Sequence, residues 1–197
     1  MRILATVLCV ALLAGCASSE PEHRYYVLDE FAAASPKPAT AARRDDTLLI
    51  APVSADGFYR TREMAYSRAA GTRGYYQYSA WTELPAQAIG NALLVRLERS
   101  GAFRAVAAIP SGVNGTLLLR VHLDEIYHDA TTSPGIARVA LTAQLSDAAG
   151  RTLIERRSFA ANAPATSFDA DGAVVGLRQA LDAMLDDVVN WAAAVPR

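Results

Sequence analysis

Cysteine is nearly absent from this chain of 197 residues, which has only Cys9 and Cys16. Because both lie near the amino terminus, a disulfide or a cysteine-based metal cage is excluded beyond residue 16. An excess of charge of either sign is also lacking, since 19 basic and 20 acidic side chains give a formal net charge of −1. A near-neutral surface gives no electrostatic attraction for nucleic acid, and we expect no nucleic-acid partner.

The apolar run at the amino terminus is too short to span a membrane. It extends from Ile3 to Ala14, which is 12 residues, whereas a spanning helix needs roughly 20. Preceded by Arg2 and followed by small residues, the run has the length and flanks of a secretory signal peptide. The sequence Leu13-Ala14-Gly15-Cys16 then resembles the lipobox of bacterial lipoproteins. We therefore predict cleavage before Cys16 and lipidation of its thiol.

This processing predicts a simple organisation of the chain. Residues 1–15 are the signal peptide, residues 16–24 a lipidated tether, and residues 25–197 a single α+β domain. Ala17 and Ser18 follow the cysteine, and neither is the Asp that retains enterobacterial lipoproteins in the inner membrane. In a host with two membranes we expect the outer one, with the domain facing the periplasm. The eight residues from Ala17 to Arg24 reach at most about 27 Å, so the domain stays near its membrane.

Local catalytic motifs are lacking too. The sequence has no G-x-S-x-G, Walker A, G-x-G-x-x-G, H-E-x-x-H or S-x-x-K pattern, and we expect no catalytic residues, no metal and no cofactor. An open alternative is an extracytoplasmic hydrolase that uses His122 and Asp124. On a continuing strand these two would share a face with His128, a spacing that could bind zinc or share a proton. An ordinary solvated strand face is the favoured interpretation.

Hydrophobic periodicity predicts an α+β fold. Apolar residues recur every three or four positions from Thr82 to Gly101 and from Asp171 to Ala194, which predicts two amphipathic helices. Thr82 is the expected N-cap of the first helix, and Ser100-Gly101 its end. Alternating apolar and polar residues predict half-buried antiparallel strands. The strand segments are Tyr25–Leu28, Thr47–Val53, Phe103–Ile109, and the alternating stretches near residues 117–124, 138–145 and 152–160, the last two joined by a turn at Asp147–Gly150. The prediction is one twisted, mainly antiparallel sheet with two helices packed on it.

Aromatic residues and arginine concentrate between Phe58 and Trp81. This segment has seven of the 15 aromatic residues and four arginines, but only one acid, Glu63. Tyr, Trp and Arg dominate the energetics of protein interfaces, so we predict a partner-binding surface. Two alternatives remain: the aromatic side chains belong to strands and core, or they line an acyl-chain pocket of a lipid-binding chaperone. The candidate partner-binding residues are Tyr59, Arg62, Tyr66, Tyr75, Tyr76 and Trp81.

The order of these features resembles a known family. Cys16 is followed by Tyr25-Tyr26-Val27-Leu28-Asp29, a strand ending in Ala51-Pro52-Val53, Arg62-x-Met64-x-Tyr66, and an aromatic run into Trp81-Thr82-Glu83-Leu84-Pro85. In this order the chain is similar to the ABC-type transport auxiliary lipoproteins, the PqiC-like accessory components of MCE lipid-transport systems.

The resemblance implies a partner-binding role without catalysis. Lipid on Cys16 would hold the domain at the outer membrane, and its surface would receive a periplasm-spanning MCE-domain protein of an ABC-type lipid transporter. Some members of the family assemble into rings, so a homo-oligomer is a further partner that the resemblance leaves open.

Overall fold

The computed structural model describes residues 22–28 and 43–196. The predicted signal peptide, Cys16 and most of the tether lie outside the described residues. In chain order, the elements are β1 (Arg24–Tyr26), β2 (Arg44–Ile50), β3 (Ser54–Ala55), a 3₁₀ turn (Gly57–Tyr59), β4 (Glu63–Ser67), β5 (Gly74–Trp81), α1 (Pro85–Ser100), β6 (Phe103–Ala108), β7 (Leu117–Asp129), β8 (Ile136–Asp147), β9 (Leu153–Pro164) and α2 (Ala170–Ala194).

The long strand β7 organises the sheet. Along one edge it pairs antiparallel with β8, which in turn pairs antiparallel with β9. Along its other edge, β7 pairs with three short parallel strands one after another: β2, then β3, then β4. The remaining strands extend these partners, because β6 pairs with β2, and β5 joins β4 to β1. The two longest pairings are antiparallel, and the predicted α+β architecture is confirmed.

The core lies between one face of this sheet and the helices. Val121 and Leu123 of β7 and Leu141 of β8 point to this side, where they are buried with Leu181 and Met184 of α2 in one hydrophobic cluster. Full burial of such a side chain contributes roughly 1.5–3 kcal/mol, so this layer fixes α2 against the long strands.

The two helices begin in different ways. The N-cap of α1 is Leu84, which makes no side-chain capping bond, and Pro85 occupies the first turn; the predicted cap at Thr82 is therefore wrong. A start at Thr82 is disfavoured because Pro85 would then be the third helical residue and lacks the N–H that the Thr82 side chain would bind. The residue before a proline also favours the extended conformation that Leu84 has. Gly101 ends α1 in the left-handed conformation at φ 64°, as predicted. At α2, the Asp169 carboxylate accepts the Gly172 N–H at 2.9 Å.

A β-bulge in β7 changes which side chains face the core. Leu123 pairs with Leu141, but the next pairing is Glu125 with Ala140, so the register slips at Asp124. One extra residue reverses the alternation beyond it. His128 consequently points inward and is fully buried, whereas His122 remains partly exposed. The prediction that His122, Asp124 and His128 share one strand face is therefore wrong.

Candidate functional site

The aromatic segment forms the 3₁₀ turn and the antiparallel β4–β5 hairpin. Tyr66 pairs with Gly74 near the tip, and Glu63 pairs with Ala80 at the open end, with a register shift between them. The ring of Tyr66 lies over Gly74, where a Cβ would be only 3.2 Å from the ring. Glycine at this position therefore lets the aromatic side chain pack flat across the hairpin.

Two of the predicted partner-binding residues, Tyr59 and Trp81, belong to the hydrophobic core. Their exposed fractions are 7% and 2%. Tyr59 accepts a hydrogen bond from Arg73 Nε at 3.2 Å, and burial raises the pKa of its phenol. In this conformation neither side chain presents an area that a partner could contact.

Tyr75 is half-buried and held rigidly. Its ring stacks on Phe58 with centroids 4.3 Å apart and an interplanar angle of 12°. Its hydroxyl donates to the Phe58 carbonyl at 2.7 Å. Because ring and hydroxyl are both fixed, the exposed part of Tyr75 would lose little conformational entropy on contact with a partner.

Tyr76 connects the hairpin to the buried histidine. Its hydroxyl lies 2.6 Å from Nδ1 of His128, and His128 Nε2 lies 2.9 Å from the carbonyl oxygen of Pro134. A carbonyl can only accept, so Nε2 carries the proton and Nδ1 accepts from the tyrosine. Burial lowers the pKa of His128 and raises the pKa of Tyr76 to about 12. Both groups are therefore neutral, and Tyr76 has a structural role.

Arginine supplies the exposed charge of this region. Arg60, Arg62 and Arg68 are exposed, and none of the three forms an ion pair within the described residues. The guanidinium of Arg68 lies 5.1 Å from the centroid of the Tyr66 ring. We call Arg62, Tyr66, Arg68 and Tyr75 the hairpin surface. It combines unpaired cations with pre-positioned aromatic rings on both faces of the hairpin. Tyr66 lies beside Arg68 on one face and Tyr75 lies on the other, because Tyr66 pairs with Gly74 and Tyr75 with Ala65.

A groove of about 590 Å³ lies between β1, β5 and the start of α2. Arg24 forms an ion pair with Asp171 at 2.6 Å, and the Tyr26 hydroxyl donates to the same carboxylate at 2.7 Å. Tyr76 and Tyr78 also line the groove. Charged groups on its wall make it unsuited to an acyl chain alone. No local sequence pattern signals this contact, because Arg24 and Asp171 are 147 residues apart.

His122 has partners that sequence reasoning missed. Its Nδ1 lies 2.8 Å from Ser54 Oγ, and its Nε2 lies 3.0 Å from Asp56 Oδ1. Both partners come from the β3 region, which the short parallel pairing places beside β7. Asp124 instead accepts from the Thr142 hydroxyl at 2.8 Å. A Ser–His–Asp arrangement results, but the Asp56 side chain is 63% exposed, and water weakens its coupling to the imidazole.

Neither a metal centre nor a membrane span is evident in the described part of the chain. Within residues 22–28 and 43–196, no three His, Cys, Asp or Glu side chains gather as metal ligands. Over the same ranges, neither helix combines the length and apolar character needed to cross a bilayer.

Solved structures share this fold at low sequence identity. Protein XCC0632 from Xanthomonas campestris superposes with a TM-score of 0.76 at 20% identity, over 87% of this chain and 96% of its own. A second structure, of an uncharacterized protein, gives 0.66 at 13% identity, over 87% and 99%. The hypothetical protein CT253 from Chlamydia trachomatis gives 0.50 at 9% identity, over 77% and 98%. At such identities the likeness extends to the fold alone.

Family membership comes from the sequence itself. Comparison with curated proteins finds none that matches. A family model, by contrast, matches residues 26–189, which run from β1 into the last turns of α2. The match includes the hairpin surface, His122 with its partners Ser54 and Asp56, and all of the groove's lining except Glu22 and Arg24. The chain therefore belongs to the family of the ABC-type transport auxiliary lipoprotein component.

Proposed function

We propose that this chain is an outer-membrane lipoprotein, anchored through Cys16, that docks a periplasm-spanning MCE-domain protein of an ABC-type lipid transporter. The hairpin surface is the observation that carries the docking step. The Tyr75 ring is held by an internal hydrogen bond and by stacking on Phe58, and the Tyr66 ring packs over Gly74 beside Arg68. Arg62 and Arg68 form no ion pair with any residue that the structure describes. Rigid aromatics beside unpaired cations are the side chains that contribute most to protein interfaces.

Catalysis is not part of this proposal. Membership of a transport auxiliary family supports a binding role. The exposed setting of Ser54, His122 and Asp56 also argues against an activated nucleophile, because a catalytic base and its carboxylate act most strongly where water is excluded.

One set of measurements tests both the lipid anchor on Cys16 and the location of the protein in the outer membrane. Mass spectrometry of the mature protein detects acyl chains on Cys16, and density fractionation separates inner from outer membrane. We expect acylated protein in the outer-membrane fraction and release of a Cys16→Ser variant from it. Acylated protein in the inner-membrane fraction would contradict the location while leaving the anchor intact.

The docking step is tested by charge reversal on the hairpin. Full-length Arg62→Glu/Arg68→Glu is compared with Arg156→Glu/Arg157→Glu on β9. All four arginines are exposed, and each pair has one member beside an aromatic ring: Arg68 at 5.1 Å from Tyr66, and Arg157 at 5.2 Å from Phe159. Tyr76 is left intact because its hydroxyl bonds the buried His128.

The readout is a pull-down from detergent-solubilised membranes with mass spectrometry of both proteins and lipids. We expect an MCE-domain protein with the wild type and with the β9 variant, and its loss with the hairpin variant. Equal recovery with both variants would reject the hairpin surface as the docking site. Recovery of lipid without any MCE-domain protein would favour the chaperone function instead.

A further inference from the structure

Exposed apolar side chains concentrate around β1. Among the described residues, ten large hydrophobic side chains are more than a third exposed, and five of these lie on β1 or beside it. Isolated exposed hydrophobic residues are ordinary, but a contiguous group marks an interaction surface. The five residues, which we call the β1 patch, are Tyr25, Val27, Tyr78, Leu84 and Val175, with exposed fractions between 37% and 61%.

Contacts of β1, an edge strand of the sheet, place these five residues around that edge. Tyr25 and Val27 lie on one face of the strand, and α2 with Val175 lies on the other, where Arg24 and Tyr26 contact Asp171. Tyr25 lies in β1 and Val27 follows its last residue. The ring of His23 contacts both Tyr25 and Tyr78, with centroids 6.3 and 5.6 Å apart. Leu84 follows Thr82, whose N–H donates to the Tyr26 carbonyl at 2.9 Å.

Helix α2 supplies the fifth member. Val175 lies between Asp171 and Arg178 at helical spacings of four and three, so the three share one face. Asp171 binds Arg24 and Tyr26, and Arg178 donates to the Val27 carbonyl at 2.6 Å. The helix face that carries Val175 is therefore the face in contact with β1.

We infer that the β1 patch rests on the membrane surface to which the lipid anchor holds the chain. This inference depends on the proposed acylation of Cys16. From Cys16 to His23 there are seven residue steps, which span at most about 25 Å when extended. The anchor thus keeps His23, whose ring contacts Tyr25 and Tyr78, within that distance of the headgroups.

The chemistry of the patch fits a bilayer interface. Tyrosine rings favour the headgroup region because an apolar ring and a polar hydroxyl suit its two sides. Valine and leucine beside them gain from leaving water. The nearest charge pair, Arg24 and Asp171, is neutralised internally, so contact of this pair with lipid would not bury an unpaired charge.

The scarcity of cysteine makes a direct test feasible. After processing, Cys16 is the only cysteine in the chain, and acylation blocks its thiol. Full-chain Tyr25→Cys and Tyr78→Cys variants therefore offer one reactive thiol each. Ile109→Cys and Leu153→Cys are matched controls, because these residues are 37% and 57% exposed and lie outside the β1 patch. Each thiol is labelled with an environment-sensitive NBD fluorophore, and the lipoprotein is reconstituted into phosphatidylethanolamine–phosphatidylglycerol vesicles.

Two quenchers then distinguish lipid from water. We expect labels at positions 25 and 78 to show blue-shifted emission that nitroxide lipids quench and aqueous iodide does not. Labels at 109 and 153 should show the opposite behaviour. Labels at 25 and 78 that are shielded from both quenchers would mean that protein, such as a second copy of this chain, covers the patch, and would overturn the inference.

The acylation state of Cys16, read from the mass of the same preparations, separates this inference from the proposed function. Acylated protein whose labels at 25 and 78 remain open to iodide would overturn membrane contact and leave the anchor intact. Protein without acyl chains, in which the free Cys16 thiol would also take up the label, would reject the anchor and with it this inference.

Discussion

The hydroxyl of Tyr76 lies 2.6 Å from Nδ1 of His128, which joins the β4–β5 hairpin to the carboxyl-terminal end of the longest strand. The histidine is fully buried, and its other nitrogen donates to the Pro134 carbonyl at 2.9 Å. The hairpin that we propose as a docking surface is therefore anchored through a neutral imidazole.

Acidification should weaken the fold through His128. Burial lowers its pKa in the folded state, so the unfolded chain binds the proton first as the pH falls through its ordinary value near 6.5. Stability then decreases with falling pH, by at most about 1.4 kcal/mol per pH unit for this group, until the folded-state pKa is reached. Urea unfolding between pH 8 and pH 5 measures this slope.

A His128→Gln variant is the control for this pH dependence. It should be less stable than the wild type at pH 8, because the bonds to Tyr76 and Pro134 are lost or altered, yet its stability should change less with pH. An unchanged slope in the variant would assign the acid sensitivity to other groups.

Gly135 should tolerate alanine far less well than Gly71. Both have positive φ, 95° and 73°. At Gly135 a Cβ would come within 2.1 Å of His128 Nε2 and 2.7 Å of the Asp129 carbonyl oxygen, whereas at Gly71 nothing lies within 4 Å. Gly71→Ala should therefore cost only about 1 kcal/mol from the backbone conformation.

For Gly135→Ala we expect a loss clearly larger than that of Gly71→Ala in the same urea titration, because the clash adds to the conformational cost and displaces the His128 ring. Equal losses would show that the turn relaxes without disturbing the histidine.

Removing the positive charge on α1 and removing the negative charges on α2 should destabilise the fold to different extents. Arg96 of α1 bonds both Asp182 and Asp186 of α2. Its side chain is only 6% exposed, while the two carboxylates are more than a third exposed. Without Arg96, water can solvate the carboxylates. Without the two carboxylates, the buried guanidinium of Arg96 lacks its counter-ions, which is the more costly loss.

Asp182→Asn/Asp186→Asn should therefore decrease the free energy of unfolding. The expected decrease approaches the roughly 3–5 kcal/mol that breaking a buried ion pair typically costs. Arg96→Met keeps an unbranched apolar side chain between the helices and should cost less. Chemical denaturation of the two variants at neutral pH gives the comparison, and a larger loss in Arg96→Met would contradict this account.

Local periodicity in the sequence was sufficient for the helices and the long antiparallel strands. The helical spacing of apolar residues identified α2 within one residue of its observed start at Ala170. Contacts between distant segments were not predictable in this way. The parallel pairing of Ser54 with His122, and the ion pair between Arg24 and Asp171, depend on chain topology that no local pattern encodes.

The bulge at Asp124 shows why side-chain direction was harder to predict than strand position. Simple alternation placed His122 and His128 on one face, and one extra residue in the ladder separated them. Likewise, composition identified the segment from Phe58 to Trp81 as distinctive, but it could not separate the buried Tyr59 and Trp81 from the half-buried Tyr75.

Ser54 should not react as a catalytic serine, although its hydroxyl lies 2.8 Å from His122 Nδ1. The carboxylate that faces Nε2 belongs to Asp56, whose side chain is 63% exposed, so solvent screens the charge that would stabilise an imidazolium. We expect no labelling of the purified protein by a fluorophosphonate probe. We also expect that His122→Ala leaves the recovery of the MCE-domain protein in the pull-down unchanged. Labelling that disappears in Ser54→Ala would instead establish an activated nucleophile at this site, and the extracytoplasmic hydrolase would then replace the docking lipoprotein as the leading function.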